Sequence, residues 1–302
     1  MKKNTCIIIA GPTAVGKTEA AIQLADYYST EIISADSRQC YKELNIGVAK
    51  PSPEELENTH HYFIGSHSIQ ESLNSADFEK YALDSINKIF LKSDIAILVG
   101  GTGLYIKAFC EGLDQIPPVP AETRKLVEEQ YQAHGIQWLN EMLQIHDPVF
   151  CSTGEMQNPR RMMRALEVML SSGNSIVTYQ THRKETRDFN IVKIGIELPR
   201  EVLYERINIR VDKMVEQGLV SEAEQLIPFR SLNALQTVGY RELFDYFDGK
   251  IGLNRAIELI KQNSRHYAKR QMTWFKKDQA FQWSHPNFSS IKSLIKILRE
   301  KP

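Results

Sequence analysis

An α/β fold is predicted, a parallel sheet flanked by helices with a small helical domain inserted. Three observations predict it. The apolar run Cys6-Ile7-Ile8-Ile9-Ala10 feeds a glycine-rich turn and then a helical pattern over 19–28. A second run, Ile95-Ala96-Ile97-Leu98-Val99, is apolar throughout, as parallel strands covered on both faces read. Between a proline-rich break at 115–121 and a return strand at 191–198, the pattern is helical.

In chain order, the first turn is Gly11-Pro12-Thr13-Ala14-Val15-Gly16-Lys17-Thr18, which fits G-x-x-x-x-G-K-[ST] between strand and helix. That context predicts a phosphate-binding loop and makes the sheet P-loop NTPase-like. Its amides and the following helix N-terminus face phosphate oxygens. Lys17 is placed to reach the outer phosphate and the Thr18 hydroxyl to bind Mg²⁺. A second strand over 31–36 ends on Asp36-Ser37-Arg38-Gln39. Ligands gather at the carboxyl ends of such strands, so Asp36 falls where chemistry beside the loop needs a carboxylate. A loop over 45–51, a short strand over 60–64 and an amphipathic helix over 76–92 follow.

The apolar run 95–99 ends in Gly100-Gly101-Thr102-Gly103 with no carboxylate after it. The Asp that usually holds Mg²⁺ in a P-loop ATPase is therefore missing there, which argues against simple ATP hydrolysis. Helices are expected over 123–134, 137–145 and 159–171, then a short strand over 176–178. The core is expected to span 1–118 and 186–302, and the helical insertion 119–185. Long helices are expected over 200–217, 220–229 and 253–277.

Zero net charge hides an asymmetry. Residues 1–155 carry 12 Lys and Arg against 21 Asp and Glu, and residues 156–302 carry 25 against 16, so the halves stand at −9 and +9. The split suggests a polyanionic partner on one side. No apolar run is long enough to span a membrane, and the first residues enter a strand without a leader pattern, which predicts a cytoplasmic protein. Cys6, Cys40, Cys110 and Cys151 have no C-x-x-C spacing, so free thiols are expected.

Three constellations carry the chemistry. Lys17 and Thr18, Asp36 and Thr102 converge at strand ends. Asp36 suits Mg²⁺ binding or proton abstraction, against a turn or cap role. Thr102 is equally a site residue or a helix cap on spacing alone. A basic cluster follows, with Arg160 and Arg164 on one helix face at i and i+4. Arg265, Lys269, Arg270, Lys276 and Lys277 form another, interleaved with Tyr267, Trp274 and Phe275, a mixture that suits nucleic-acid backbone and unstacked bases. The loop Gln236-Thr237-Val238-Gly239-Tyr240-Arg241 is uninformative by itself.

Taken in order, these segments resemble the tRNA dimethylallyltransferases (tRNA isopentenyltransferases). The resemblance rests on the loop at 11–18, Ser34-Ala35-Asp36-Ser37-Arg38-Gln39 with Tyr41, and Gly47-Val48-Ala49-Lys50-Pro51. It continues in Val99-Gly100-Gly101-Thr102-Gly103-Leu104-Tyr105, Arg160-Arg161-Met162-Met163-Arg164-Ala165-Leu166-Glu167, Val238-Gly239-Tyr240-Arg241-Glu242 and Ala268-Lys269-Arg270-Gln271 with Thr273-Trp274. Val48 replaces the usual Thr, and Cys40 stands where a small aliphatic residue is common. The resemblance implies that Gly11, Pro12, Thr13, Ala14, Val15, Gly16, Lys17 and Thr18 cradle dimethylallyl diphosphate rather than ATP. It implies Asp36 as general base toward N6 of adenosine 37, with Lys17, Thr18 and Thr102 in the catalytic set and Mg²⁺ on Thr18. It implies that Asp36, Ser37, Arg38, Gln39 and Thr102 meet the extruded base and its neighbours. Arg124, Arg160, Arg161, Met162, Met163, Arg164, Gln236, Thr237, Val238, Gly239, Tyr240 and Arg241 would hold the tRNA anticodon stem-loop. The chain is expected to act as a monomer away from membranes. A P-loop kinase would account for the loop and for a helix carrying Arg206 and Arg210 that could act on transferred phosphate, but would leave the second basic cluster and the absent Asp unexplained. A non-catalytic RNA-binding protein would leave the loop and Asp36 unexplained.

Overall fold

The computed structural model describes residues 4–181 and 183–300. Two compact units emerge, one from the chain up to Cys110 and from Thr186 on, the other from Glu111–Glu185. The first boundary thus falls at 111, where the proline break had suggested 119.

The first unit is built on six strands. β1 (Thr5–Ala10) leads through the glycine loop into α1 (Lys17–Tyr28), and β2 (Ile32–Ala35) follows. α2 (Pro53–Asn58) starts at Ser52, whose hydroxyl accepts from Glu55 N while the Glu55 carboxylate accepts from Ser52 N. β3 (His61–Tyr62) is shorter than the expected strand. α3 (Ser75–Phe90) is capped by Asn74 and buries Phe78, Ala82, Ile86 and Ile89, spaced at helical intervals on one face. β4 (Ile95–Gly100) and α4 (Gly103–Glu111) complete this half.

In the second unit, α5 (Ala121–His146) is two helices broken at Gly135, whose φ of 70° and ψ of −161° are open to glycine and to few other residues. The break falls where the sequence pattern separates 123–134 from 137–145. α6 (Pro148–Thr153) is capped by Asp147, and α7 (Pro159–Ser172) by Asn158 with Pro159 in its first turn. The strand expected over 176–178 is instead a helical turn, α8 (Ile176–Tyr179). Ser175 caps it by accepting from Val177 N, and Ile176 packs into this unit's core. β-branched residues favoured the strand reading, but the cap and the burial of Ile176 among helices outweigh that preference. Val127, Leu139, Leu143, Phe150, Met162 and Leu166 form the same core.

The chain re-enters the first unit as β5 (Asn190–Ile196), followed by α9 (Arg200–Glu216) and α10 (Leu219–Gln225). The helix expected over 220–229 stops early and gives way to a 3₁₀ turn at Ile227–Phe229 containing Pro228. α11 (Tyr240–Phe247), α12 (Leu253–Phe275), β6 (Gln282–Ser284) and α13 (Phe288–Glu300) end the described chain. β6 and α13 had no counterpart among the sequence expectations.

The strand order is β3-β2-β4-β1-β5-β6, and every pairing is parallel. Alternation along β1 divides the core. Cys6, Ile8 and Ala10 pack with residues of α3, α4, α10 and α11, while Ile7 and Ile9 pack with residues of α1, α9 and α13. The result is a three-layer P-loop NTPase-like sandwich, in which β4 lies between β2 and β1 and brings their carboxyl-end loops side by side.

Candidate active site

The glycine loop closes on itself through its own lysine. Gly16, with φ 101°, turns the chain into α1, and Lys17 Nζ donates to Pro12 O at 2.7 Å. Burial pushes the Lys17 ammonium down to about 7; Arg210 adds to the depression and Asp36 opposes it. Arg210, from α9, donates to Thr13 Oγ1 at 3.2 Å. Its guanidinium too is shifted down by burial, with Asp36 pulling the other way. Two cations are therefore held at a loop that presents backbone N–H groups, an arrangement that stabilises an anion. The Thr18 hydroxyl has no hydrogen-bond partner among the described residues, which leaves it available to a ligand.

Asp36 does two things at once. Its Oδ1 accepts from Arg38 N at 2.9 Å and Gln39 N at 3.3 Å, fixing the turn after β2. Its other carboxylate oxygen has no hydrogen-bond partner among the described residues. Thr102 Oγ1 accepts from Ser37 N at 3.1 Å, so the hydroxyl ties the β4 turn to the β2 turn. Thr102 N in turn donates to Ala35 O at 3.2 Å.

Gln271 of α12 joins the third loop. It is 6% exposed. Its Oε1 accepts from Thr13 N and its Nε2 donates to Gly101 O, each at 2.9 Å. A Cβ on Gly101 would lie 2.3 Å from Gln271 Nε2, and one on Gly103 2.2 Å from the Trp274 ring, so the glycine turn lets α12 approach its backbone. The loop at 11–18, Asp36 and Thr102, expected from sequence to converge, thus lie together at the carboxyl ends of β1, β2 and β4.

Other predicted residues are placed differently. The Gln39 amide is spent on the protein, with Nε2 donating to Val48 O and Ala49 O and Oε1 accepting from Ser34 Oγ, so it orders the loop at 45–50 rather than reading a base. Tyr240 is fully buried, and its hydroxyl donates to Glu222 Oε1 at 2.6 Å. Glu222 also accepts from Asn45 N, Ile46 N and Gly47 N. The Tyr240 side chain therefore supports that loop and has no surface to offer RNA. Val238 is partly buried against the core, Gly239 N donates to Glu242, and the Gln236 amide donates to Arg230 O; Thr237 is half-buried and Arg241 exposed.

In the second unit, Met162 is fully buried in the core, again unavailable as a surface contact, and Met163 packs at its edge. Arg124 and Arg160 are exposed; Arg161 pairs with Glu155 and Arg164 with Glu167. On α12, Phe275 is core, whereas Trp274 is exposed and Tyr267 leaves only part of its side chain in solvent. The hydroxyl end of Tyr267 is turned inward, and its burial, with Asp36 nearby, raises the phenol to about 12. The sequence argument gave Glu222 and Gln271 no role at this site, and Arg210 one only under the P-loop kinase alternative, as a partner of Arg206 acting on transferred phosphate. Arg210 had a signal in the Arg206/Arg210 spacing on α9, and Gln271 one in its place among basic residues.

The IPP transferase family model matches residues 39–278. The chain is 48% identical over 304 residues to the tRNA dimethylallyltransferase of Flavobacterium psychrophilum, covering 99% of each. It is 43% identical over 282 residues to tRNA dimethylallyltransferase 1 of Bacteroides thetaiotaomicron, covering 93% of this chain and 92% of that one. Among solved structures it is similar to a tRNA isopentenylpyrophosphate transferase from Bacillus halodurans, with TM-score 0.70 and 37% identity over 98% of this chain and 94% of that one. It is also similar to a eukaryotic dimethylallyltransferase acting on tRNA, with TM-score 0.75 and 28% identity over 90% of this chain and 69% of that one. The relatives extend across the loop and Asp36, which precede the family match, and the chain belongs to the IPP transferase family.

Proposed function

We propose that the chain transfers a dimethylallyl group from dimethylallyl diphosphate to N6 of adenosine 37 in tRNAs that read codons beginning with U, releasing diphosphate. The observation that carries this reading is the second Asp36 carboxylate oxygen, unpartnered among the described residues, in a crevice with two buried cations and loop amides. The exocyclic amine is a poor nucleophile because its lone pair is delocalised into the ring. Asp36 takes its proton as the N6–C1 bond forms and the C1–O bond to diphosphate breaks. The electron pair of that bond leaves with the diphosphate, and Lys17, Arg210 and the amides at 11–18 hold the growing charge.

Thr18 would hold Mg²⁺ together with substrate phosphate oxygens and water, a ligand set common for this ion, and the ion would neutralise phosphate charge. Because adenosine 37 is stacked in the anticodon loop, it must be extruded to reach the crevice. Ser37, Arg38 and Thr102 lie at that crevice, and Arg124, Arg160, Arg161, Arg164 and Arg241 offer cations for the stem-loop. The reading includes a cytoplasmic monomer.

The test is prenyl transfer from labelled dimethylallyl diphosphate to unmodified tRNA. Incorporation that disappears in Asp36→Ala, with tRNA binding retained, is expected. Binding of ATP without prenyl incorporation would sink the reading.

A further inference from the structure

The turn before α11 has a shape that its surroundings must maintain. Gly239 lies at φ 103° and ψ −59°, a region that side chains rarely enter. A Cβ there would meet nothing within 4 Å, so backbone shape rather than crowding calls for glycine. Only the half of a capping box that a glycine allows is formed. Glu242 turns back from the first turn of α11, and its Oε2 accepts from Gly239 N at 2.8 Å.

Glu242 is 7% exposed and is held in turn from α12, where Asn263 Nδ2 donates to Glu242 Oε1 at 2.6 Å. No cation pairs with this carboxylate among the described residues. A buried carboxylate with two neutral donors costs more than an apolar side chain in the same space, so core packing does not account for it. Its work is to fix the turn. Val238, Tyr240 and the Gln236 amide are committed to the protein. The side chains of Thr237 and Arg241 have no hydrogen-bond or ion-pair partner among the described residues, and Arg241 N donates to Thr237 O at 3.3 Å. Eight residues after Asn263, about 12 Å along α12, Gln271 bonds Thr13 N and Gly101 O. One helix thus braces both the turn at 236–241 and the loops of the reaction centre.

We propose that Glu242 and Asn263 are positioning residues for the acceptor. Acting through Gly239, they hold the turn in the shape that presents Thr237 and Arg241 to the RNA. The inference rests on the reading of tRNA as acceptor. Neither residue touches substrate. Without Asn263 the carboxylate is free to swing away, and Gly239 N–H loses its acceptor. The helices beneath stay packed through Leu243, Phe244 and Ile260, so the turn loosens while the fold persists.

Hydrogen exchange at the Gly239 amide and steady-state transfer, with tRNA and dimethylallyl diphosphate varied separately, test this. Asn263→Leu should speed Gly239 exchange about tenfold, the loss of one hydrogen bond to a charged group. It should raise KM for tRNA about fivefold or more, the cost of one misplaced nucleic-acid contact, and leave KM for the donor unchanged. Glu242→Leu should do the same. The double variant E242L/N263L should be no worse than Glu242→Leu alone, because Asn263 acts only through Glu242. Glu242→Gln should keep both properties near wild type. Its carbonyl accepts from Gly239 N, and its NH₂ donates to Asn263 Oδ1 once that amide turns over. Should Asn263→Leu fail to fold, Asn263→Ala is read in the same way. Unchanged exchange in the Asn263 variant overturns the proposal. So does faster exchange with an unchanged tRNA KM, an equal rise in the donor KM, or additive losses in the double variant. If the wild-type chain transfers nothing to tRNA, the acceptor reading fails. The pair is then judged by exchange together with titration of an RNA stem-loop. Binding weakened in Asn263→Leu and kept in Glu242→Gln supports it, and absent or unchanged binding overturns it.

Discussion

Lys17 is the residue at which folding and ligand binding compete most directly. In the folded chain its ammonium is pushed from 10.5 to about 7, first by burial and then by Arg210. Between those two values the unfolded chain binds more protons than the folded one. Stability should therefore rise with pH from about 7 toward 10.5 so far as Lys17 governs it, and Lys17→Met should flatten that rise in urea titrations. A bound diphosphate reverses the preference, because an anion beside Lys17 favours its charged form. Diphosphate binding at pH 8 should then take up a proton. Calorimetry in two buffers of different ionisation enthalpy should show the uptake in the wild type, and Lys17→Met should show less.

At the scale of elements, the site depends on supports that never touch a substrate. Gln271 bridges the glycine loop and the β4 turn from α12. Gln271→Leu keeps roughly the shape and leaves Thr13 N–H and Gly101 C=O unmatched, a loss of about 2–4 kcal/mol of stability by urea denaturation. Diphosphate affinity should fall with it, because Thr13 belongs to the cradle. Glu222 on α10 is the corresponding support for the loop at 45–50, accepting three backbone N–H groups and the Tyr240 hydroxyl. Removing a carboxylate with four donors should cost about 3 kcal/mol in Glu222→Leu. It should slow transfer through Gln39 and its turn while leaving diphosphate affinity nearly unchanged, a contrast with Gln271→Leu that binding calorimetry reads.

For the whole molecule, the chain leaves and re-enters the sheet unit at neighbouring points. Arg187 Nε donates to Phe109 O at 2.8 Å within that unit, and Glu185 N donates to Glu111 O at 2.8 Å within the inserted one. The insertion therefore resembles a domain tolerated at a closed surface junction. Replacing 112–184 by a short glycine–serine link should leave a cooperatively folding sheet unit that still binds diphosphate. Transfer to tRNA should fall by at least tenfold, because the cations of α7 and Arg124 are gone. A circular-dichroism melt with a diphosphate titration checks the first part, and prenyl incorporation the second.

The glycine loop, the positions of the main strands along the chain, the break at Gly135 and the convergence of Asp36 with Lys17 were legible in the sequence. Each follows from local rules, namely apolar runs, punctuating glycines and the habit of parallel strands to collect ligands at their carboxyl ends. Resemblance then connected these segments to a family and a chemistry. Tertiary structure alone decided which polar residues point where. Met162 and Tyr240 sit in basic or polar motifs yet are core, and Gln39 is consumed by carbonyls of Val48 and Ala49. Arg210 and Gln271 reach the loop from 197 and 258 residues away along the chain. Such pairings depend on how helices pack across the sheet, which sequence spacing does not encode. The α8 turn, read as a strand, belongs to the same class, since burial among helices overrode a weak local preference.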